Sequence, residues 1–202
     1  MPETNQNAPA VITESLGLLS AAAAMISDAS QQAPTPCAEW TVAQVLQHAA
    51  GDQLAWAAAL GVGSGPSENP FAPSGRLDGS VRDLLDPALA TARTAWAPVR
   101  PDGDPDGGTV LTPLPQGQLP VPVAAAACAL DAAVHAWDIA AALGQPGFLP
   151  DPLAARLLTA QAIIEPLRQY GAYAAALPPQ PGDGPAAELL RYLGRDPHWT
   201  LA

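Results

Sequence analysis

The chain is short of basic and aromatic residues, and each shortage narrows what it can be. Eight of its 202 residues are Lys or Arg against 19 Asp or Glu, which gives a formal net charge of −11. A surface of that sign repels nucleic acids and anionic membranes, so we expect neither as a partner. Aromatic residues make up 5% of the chain and apolar residues 49%. Because much of that apolar fraction is alanine, close-packed helices are favoured over an aromatic-rich sheet.

Cysteine is also scarce, and the two residues present, Cys37 and Cys128, form no C-x-x-C pattern. They indicate neither a disulfide framework nor a structural zinc knuckle. A reducing cytoplasm is therefore the simplest compartment. The N-terminus lacks the basic and apolar regions of a signal peptide, and the Ala-rich run after it falls short of a membrane span of ~20 apolar residues. We predict a single domain over 1–202 with a short disordered N-terminus at 1–8.

Apolar residues recur at helical spacing in the first third of the chain. This periodicity predicts a first helix over 11–29 and a second over 42–60. Thr41 is followed three residues later by Gln44, which is the pattern of a capping box at the start of the second helix. The fold class predicted from these elements is all-α.

The remainder of the chain predicts further helices separated by Gly- and Pro-rich segments. Ser80 is placed to cap a third helix, which Pro87 should break or bend. Prolines within 108–120 allow only a short irregular or β-like excursion. Extra C-terminal helices follow, the first of them over 151–176 with Pro166 as a kink.

The clearest chemical signal is a pair of acidic and histidine residues on one helix face. Asp131 and His135 are four residues apart, and Asp138 continues the same stripe. His48 and Asp52 form a second pair with the same spacing. A carboxylate and an imidazole so placed can share a divalent ion. Two of the three histidines lie in such pairs, and two interpretations stay open: a metal site, or a metal-free polar cluster.

A catalytic metal usually takes three protein ligands and leaves a position for water or substrate. One ligand from the second helix and two from the later helix meet that number, and we predict His48, Asp131 and His135. Asp52 and Asp138 are predicted to accept the other N–H of an imidazole, or else to be solvated. No pattern of a Ser-His-Asp triad or phosphate-binding glycine loop occurs, so no separate catalytic residue is assigned.

Three segments, taken in order, resemble a known family. They are TPCAEWTVAQVLQHAAG at 35–51, LDAAVHAWDIAAALGQP at 130–146 and LGRDPHW at 193–199. They resemble the actinobacterial-type metal-binding proteins related to mycothiol-dependent maleylpyruvate isomerase, within the DinB/YfiT-like superfamily. The resemblance implies a four-helix bundle whose metal is held by a His late in the second helix and an acidic-x-x-x-His pair in a later helix. Carried onto this chain, those ligands are His48, Asp131 and His135.

The resemblance also implies a chemistry. Characterised members of the superfamily use the metal, usually zinc, to activate a low-molecular-weight thiol such as mycothiol or bacillithiol for transfer or isomerisation. The isomerase has Glu where Asp131 stands, so the side chain that this chain offers the metal is shorter by one methylene group. The implied cofactor is a divalent ion, zinc or nickel, and the implied partners are a small thiol and a small-molecule substrate.

Two functions other than that of an enzyme stay open. The protein could be a non-catalytic metal-binding or stress-response module of the same fold, or a metal-free structural protein. Fold alone does not decide between them. Dimers are the commonest assemblies of soluble proteins, so a homodimer is a candidate assembly.

Overall fold

A computed structural model describes residues 8–37, 39–100 and 108–201, and most of them are helical. The helices are α1 (Ala8–Ala23), α2 (Val42–Ala59), α3 (Val81–Trp96), α4 (Val121–Ala142), α5 (Asp151–Leu157), α6 (Gln161–Arg168) and α7 (Pro185–Tyr192). Strands β1 (Thr109–Leu111) and β2 (Gln118–Pro120) pair antiparallel. This confirms an all-α fold with a β-like excursion around 108–120. The predicted disorder of 1–8 lies outside the described residues, apart from Ala8, which begins α1.

The first four helices form a closed four-helix bundle. α1 packs against α4, α4 against α2, α2 against α3, and α3 back against α1. Apart from the stripe of Asp131, His135 and Asp138, α4 is apolar on all sides and almost every residue in it is buried, which is the pattern of a central core helix. It is long and apolar enough to cross a membrane, but 89% of its most apolar window is buried inside the protein. The other helices therefore supply the apolar environment that this sequence requires.

Local capping fixes where α2 and α3 begin. The hydroxyl of Thr41 accepts the backbone N–H of Gln44, whose side chain accepts the N–H of Thr41. Ser80 caps α3 through a similar reciprocal pair. α3 continues through Pro87 as one helix, where the sequence predicts a break or bend. Because Pro87 is exposed, the carbonyl that it leaves without an N–H donor can bond to water.

The prediction of one helix over 151–176 is wrong. α5 ends at Leu157, a 3-10 turn follows, and α6 ends at Arg168. The interruption coincides with Thr159, whose hydroxyl bonds to the carbonyl of Arg156 and so competes for a backbone acceptor. Pro166, the predicted kink, lies within α6 instead.

Candidate metal centre

Helices α2 and α4 are joined by two buried hydrogen bonds between Gln53 and Cys128. The Sγ–H of Cys128 donates to the side-chain oxygen of Gln53, and the amide of Gln53 donates to the backbone carbonyl of Cys128, each at 3.3 Å. Both residues are buried. This pairing sets the longitudinal register of the two helices, and one turn away it places His48 opposite Asp131.

The three predicted ligands are brought together at that point. Nε2 of His48 lies 3.3 Å from Oδ1 of Asp131, and Nε2 of His135 lies 3.4 Å from the same oxygen. The ligand atoms of the three side chains all lie within 4.8 Å of one another. The two imidazole rings meet edge to face, with centroids 4.8 Å apart. We call these three residues the ligand cluster.

The other nitrogen of each imidazole is already bonded. Nδ1 of His48 lies 2.9 Å from the carbonyl oxygen of Pro70, and a carbonyl can only accept, so Nδ1 carries the proton. Nδ1 of His135 lies 2.9 Å from Oδ2 of Asp138. Both rings therefore present Nε2 to Asp131. In protein metal sites, a ligating histidine likewise bonds through its other ring nitrogen to a carbonyl or carboxylate.

Asp138 bonds to His135, and a further residue bonds to Asp138. Arg195, just beyond α7, donates Nε–H to Oδ1 and a terminal N–H to Oδ2 of Asp138, both at 2.8 Å. This is a bidentate pair, the strongest geometry for an arginine and a carboxylate. Asp138 is fully buried, so its charge depends on Arg195 for compensation.

The charges in the ligand cluster are those of a tight ion pair. Burial alone would lower the pKa of His48, but its hydrogen bond to Asp131 and the charge of Asp131 outweigh burial and raise that pKa to about 9. Burial alone would raise the pKa of Asp131, but the neighbouring His135 and His48 outweigh it and hold that pKa below its usual value. Without a metal, a proton on His48 therefore balances the carboxylate at neutral pH.

Asp52, predicted to accept an imidazole N–H or to be solvated, lies one turn after His48 on α2. Nδ1 of His48 faces the carbonyl of Pro70 rather than Asp52. Burial, followed by the charge of Asp131, raises the pKa of Asp52 to about 8. Asp52 is thus a carboxyl group beside the ligand cluster whose pKa lies well above the usual range.

Cys37 also lies near the centre, in a second group with His135 and Asp138 whose ligand atoms lie within 4.8 Å of one another. This group does not suit a metal, because both oxygens of Asp138 already accept from Arg195. Burial, and then the charge of Asp138, raise the pKa of the Cys37 thiol to about 12. The thiol stays protonated, which is the state of an unreactive cysteine.

Aromatic rings flank the ligand cluster on its outer side. Trp40 lies with its ring centroid 4.8 Å from that of His48, and Phe71 lies 5.3 Å from it on the other flank. Trp40 is only partly buried, so it differs from Trp56 and Trp137, which are 1% exposed and pack in the core. Phe71 is 64% exposed and forms the rim of the site.

Sequence reasoning missed Arg195 and Pro70 as parts of this centre. The sequence did contain a signal for Arg195, since this residue lies inside LGRDPHW, one of the three segments that carry the family resemblance. The carbonyl of Pro70 leaves no signal in a sequence, because any residue supplies a backbone oxygen. Its position depends on the loop that connects α2 to α3.

The ligand cluster fits a divalent cation. Oδ2 of Asp131 is buried and has no hydrogen-bond partner among the residues that the structure describes. Such an atom costs about 1–3 kcal/mol unless something satisfies it. Two imidazole nitrogens and one carboxylate oxygen match the three protein ligands of many catalytic zinc sites, and imidazole also suits nickel.

Comparison with known proteins defines the class to which this chain belongs. A family model described as the mycothiol maleylpyruvate isomerase N-terminal domain matches residues 13–140. The chain is a member of that family, which makes it a helical protein of a mycothiol-related class. The matched range contains the whole ligand cluster and ends before Arg195.

Individual relatives are known from Mycobacterium tuberculosis. They are uncharacterized protein MT0763 of strain CDC 1551 / Oshkosh and uncharacterized protein Rv0738 of strain ATCC 25618 / H37Rv. Each is 35% identical to this chain over 168 residues, which cover 80% of this chain and 83% of the relative. No solved structure gives a significant match. Each of these alignments is longer than the range that the family model matches, and neither relative's description names an activity.

Proposed function

We propose that the protein binds one divalent metal ion through His48, Asp131 and His135. Zinc is the first candidate for this ion and nickel is the second. The observation that carries this proposal is the convergence of two imidazole Nε2 atoms on one carboxylate oxygen, at 3.3 and 3.4 Å. The Nδ1 atoms are occupied by Pro70 and Asp138, so each ring is held with its free nitrogen toward the cluster. This prepared geometry lowers the cost of gathering the ligands.

We further propose that the centre serves a thiol-dependent transferase or isomerase acting in a reducing cytoplasm. A bound divalent ion would supply the charge that deprotonates a coordinating low-molecular-weight thiol of the mycothiol or bacillithiol type. His48, Asp131 and His135 would hold that charge with one position left for a ligand, and Trp40 and Phe71 would limit the access of water from the flanks. The second substrate would be a small electrophile.

Metal analysis tests the first part of the proposal. Protein purified without an affinity tag should carry close to one zinc ion per chain, and His135→Ala should lose it. His198→Ala is the matched control, because His198 is the remaining histidine and is exposed. Equal metal content in the wild type and in His135→Ala would rule out this site.

A second assay separates the enzyme from the non-catalytic module. Metal-loaded protein is mixed with the thiol and a panel of electrophiles, and thiol consumption is followed against time. Turnover that requires both the metal and His48 supports the transferase or isomerase. A metal-loaded protein that turns over none of the panel supports a binding or stress-response module of the same fold.

A further inference from the structure

We infer that Arg195 is a positioning residue of the metal centre. By holding both oxygens of Asp138, it fixes the ring of His135 with Nε2 toward the ligand cluster. Tight metal binding then depends on the docking of the segment after α7. The inference rests on the proposed function for its metal readout, and it has a second readout that needs no metal.

The backbone after α7 is shaped to deliver this arginine. Gly194 adopts a φ of +81°, a conformation that residues with a Cβ rarely take. A Cβ at this position would lie 2.7 Å from the Cβ of Ala174 and 2.8 Å from the carbonyl oxygen of Ala175. The N–H of Arg195 then closes the helix end by donating to the carbonyl of Leu190. The turn reverses the chain so that the guanidinium enters the interior.

In the interior, hydrogen bonds connect Arg195 to Asp138 and Asp138 to His135, which is part of the ligand cluster. The guanidinium fork holds Asp138 at 2.8 Å through two bonds, and Asp138 holds Nδ1 of His135 at 2.9 Å. Arg195 is 7% exposed and Asp138 is 0% exposed, so water does not substitute for either partner. A carboxylate gripped through both oxygens does not rotate, and the imidazole bonded to it keeps one ring orientation.

A second buried arginine provides an internal comparison. Arg191 lies four residues earlier, within α7, and donates Nε–H to Asp183 at 2.9 Å. It is 4% exposed, so its burial and its pairing with an aspartate match those of Arg195. Its partner lies in the segment before α7 rather than on α4. Replacing Arg191 therefore disturbs the same region of the fold without touching the bonds to His135.

The experiment measures zinc affinity by competition with a chromophoric chelator. Arg195→Met should weaken zinc binding by about tenfold to a hundredfold, the usual effect of losing a partner behind a ligand. Arg195→Lys keeps the charge but not the fork, so it should recover only part of the loss. Arg191→Met should stay within about twofold of the wild type, as expected for a site with no shared partner. Wild-type affinity in both Arg195 variants, or an equal loss in Arg191→Met, would overturn the inference.

The second readout is the orientation of the His135 ring in crystals of metal-free protein. The wild type and Arg191→Met should hold Nδ1 of His135 against Asp138, and the Arg195 variants should show the ring turned away from Asp138 or divided between two orientations. One unchanged ring orientation in every variant would also overturn the inference. Wild-type protein that binds no zinc would defeat the proposed function alone, because the measurement of ring orientation still stands. Arg195→Lys preserves the buried charge and is the variant to interpret if Arg195→Met does not fold.

Discussion

The metal-free protein should lose stability as the pH rises from 6.5 to 9, because its folded state holds a proton on His48. The pKa of His48 is raised from 6.5 to about 9 by its pairing with Asp131. A group whose pKa is higher in the folded state stabilises that state fully below the unfolded value. The stabilisation then declines as the pH rises through the folded value.

The size of this effect follows from the difference between the two pKa values. Each pKa unit corresponds to about 1.4 kcal/mol, so His48 should contribute about 3 kcal/mol below pH 6.5 and almost none well above pH 9. His48 is only 6% exposed, and solvent therefore screens its pairing with Asp131 weakly. For a chain of this length, about 3 kcal/mol corresponds to a Tm decrease of roughly 6–12 °C.

Asp52 contributes with the same sign over a lower pH range. Its carboxyl is protonated in the folded state up to a pKa of about 8, against 3.8 for the ordinary group. Because the unfolded chain ionises Asp52 first, stability falls between pH 3.8 and 8. The variant Asp52→Asn removes this contribution, together with the smaller part of the His48 pKa shift that the charge of Asp52 supplies.

Urea unfolding of chelator-treated protein at pH 6, 7, 8 and 9 measures both contributions. Asp52→Asn should keep a decline that extends toward pH 9, and His48→Gln should keep only the part below pH 8 that Asp52 contributes. Saturating zinc should flatten the curve at high pH, since the ion replaces the proton. A decline in His48→Gln equal to that of the wild type would refute the reasoning.

Two other substitutions test features of the surrounding structure. Gly194→Ala places a Cβ in the positive-φ turn, against Ala174. It should reduce the free energy of unfolding by about 1–3 kcal/mol and weaken zinc binding. A variant that is unchanged in both urea unfolding and chelator competition would contradict this expectation. Phe71→Ala removes an exposed ring, so its stability should change by less than about 0.5 kcal/mol, while EDTA should strip zinc faster because His48 loses its cover. Leu111→Ala, at another exposed apolar residue, is the control, and equal EDTA rates in both variants would show that Phe71 does not shield the site.

Elements that depend on neighbouring residues could be predicted from the sequence. The Thr41–Gln44 capping box forms as predicted and α2 begins at Val42, because both partners of the cap lie within one turn. Asp131 and His135 share a helix face for the same local reason. His48 required an inference across 83 positions of sequence, and the family resemblance supported the same pairing.

Features set by tertiary contacts could not be predicted in this way. The carbonyl that bonds to His48 comes from Pro70, and its place is decided by how the loop after α2 packs. Arg195 reaches Asp138 across 57 residues, and no periodicity connects them. The interruption between α5 and α6 coincides with the side chain of Thr159, whereas the sequence rule for proline points to Pro166.

The separation between Asp138 and Arg195 also sets an order of events during synthesis. The chain emerges from its N-terminus at about 5–20 residues per second, so His48, Asp131 and His135 are all available before Arg195 is made. In that interval, Asp138 lacks the arginine that bonds to both of its oxygens, so its burial in α4 is less favourable. Closure of the bundle around α4 should therefore finish only after the turn that follows α7 has been translated, which makes the candidate metal site a late product of folding.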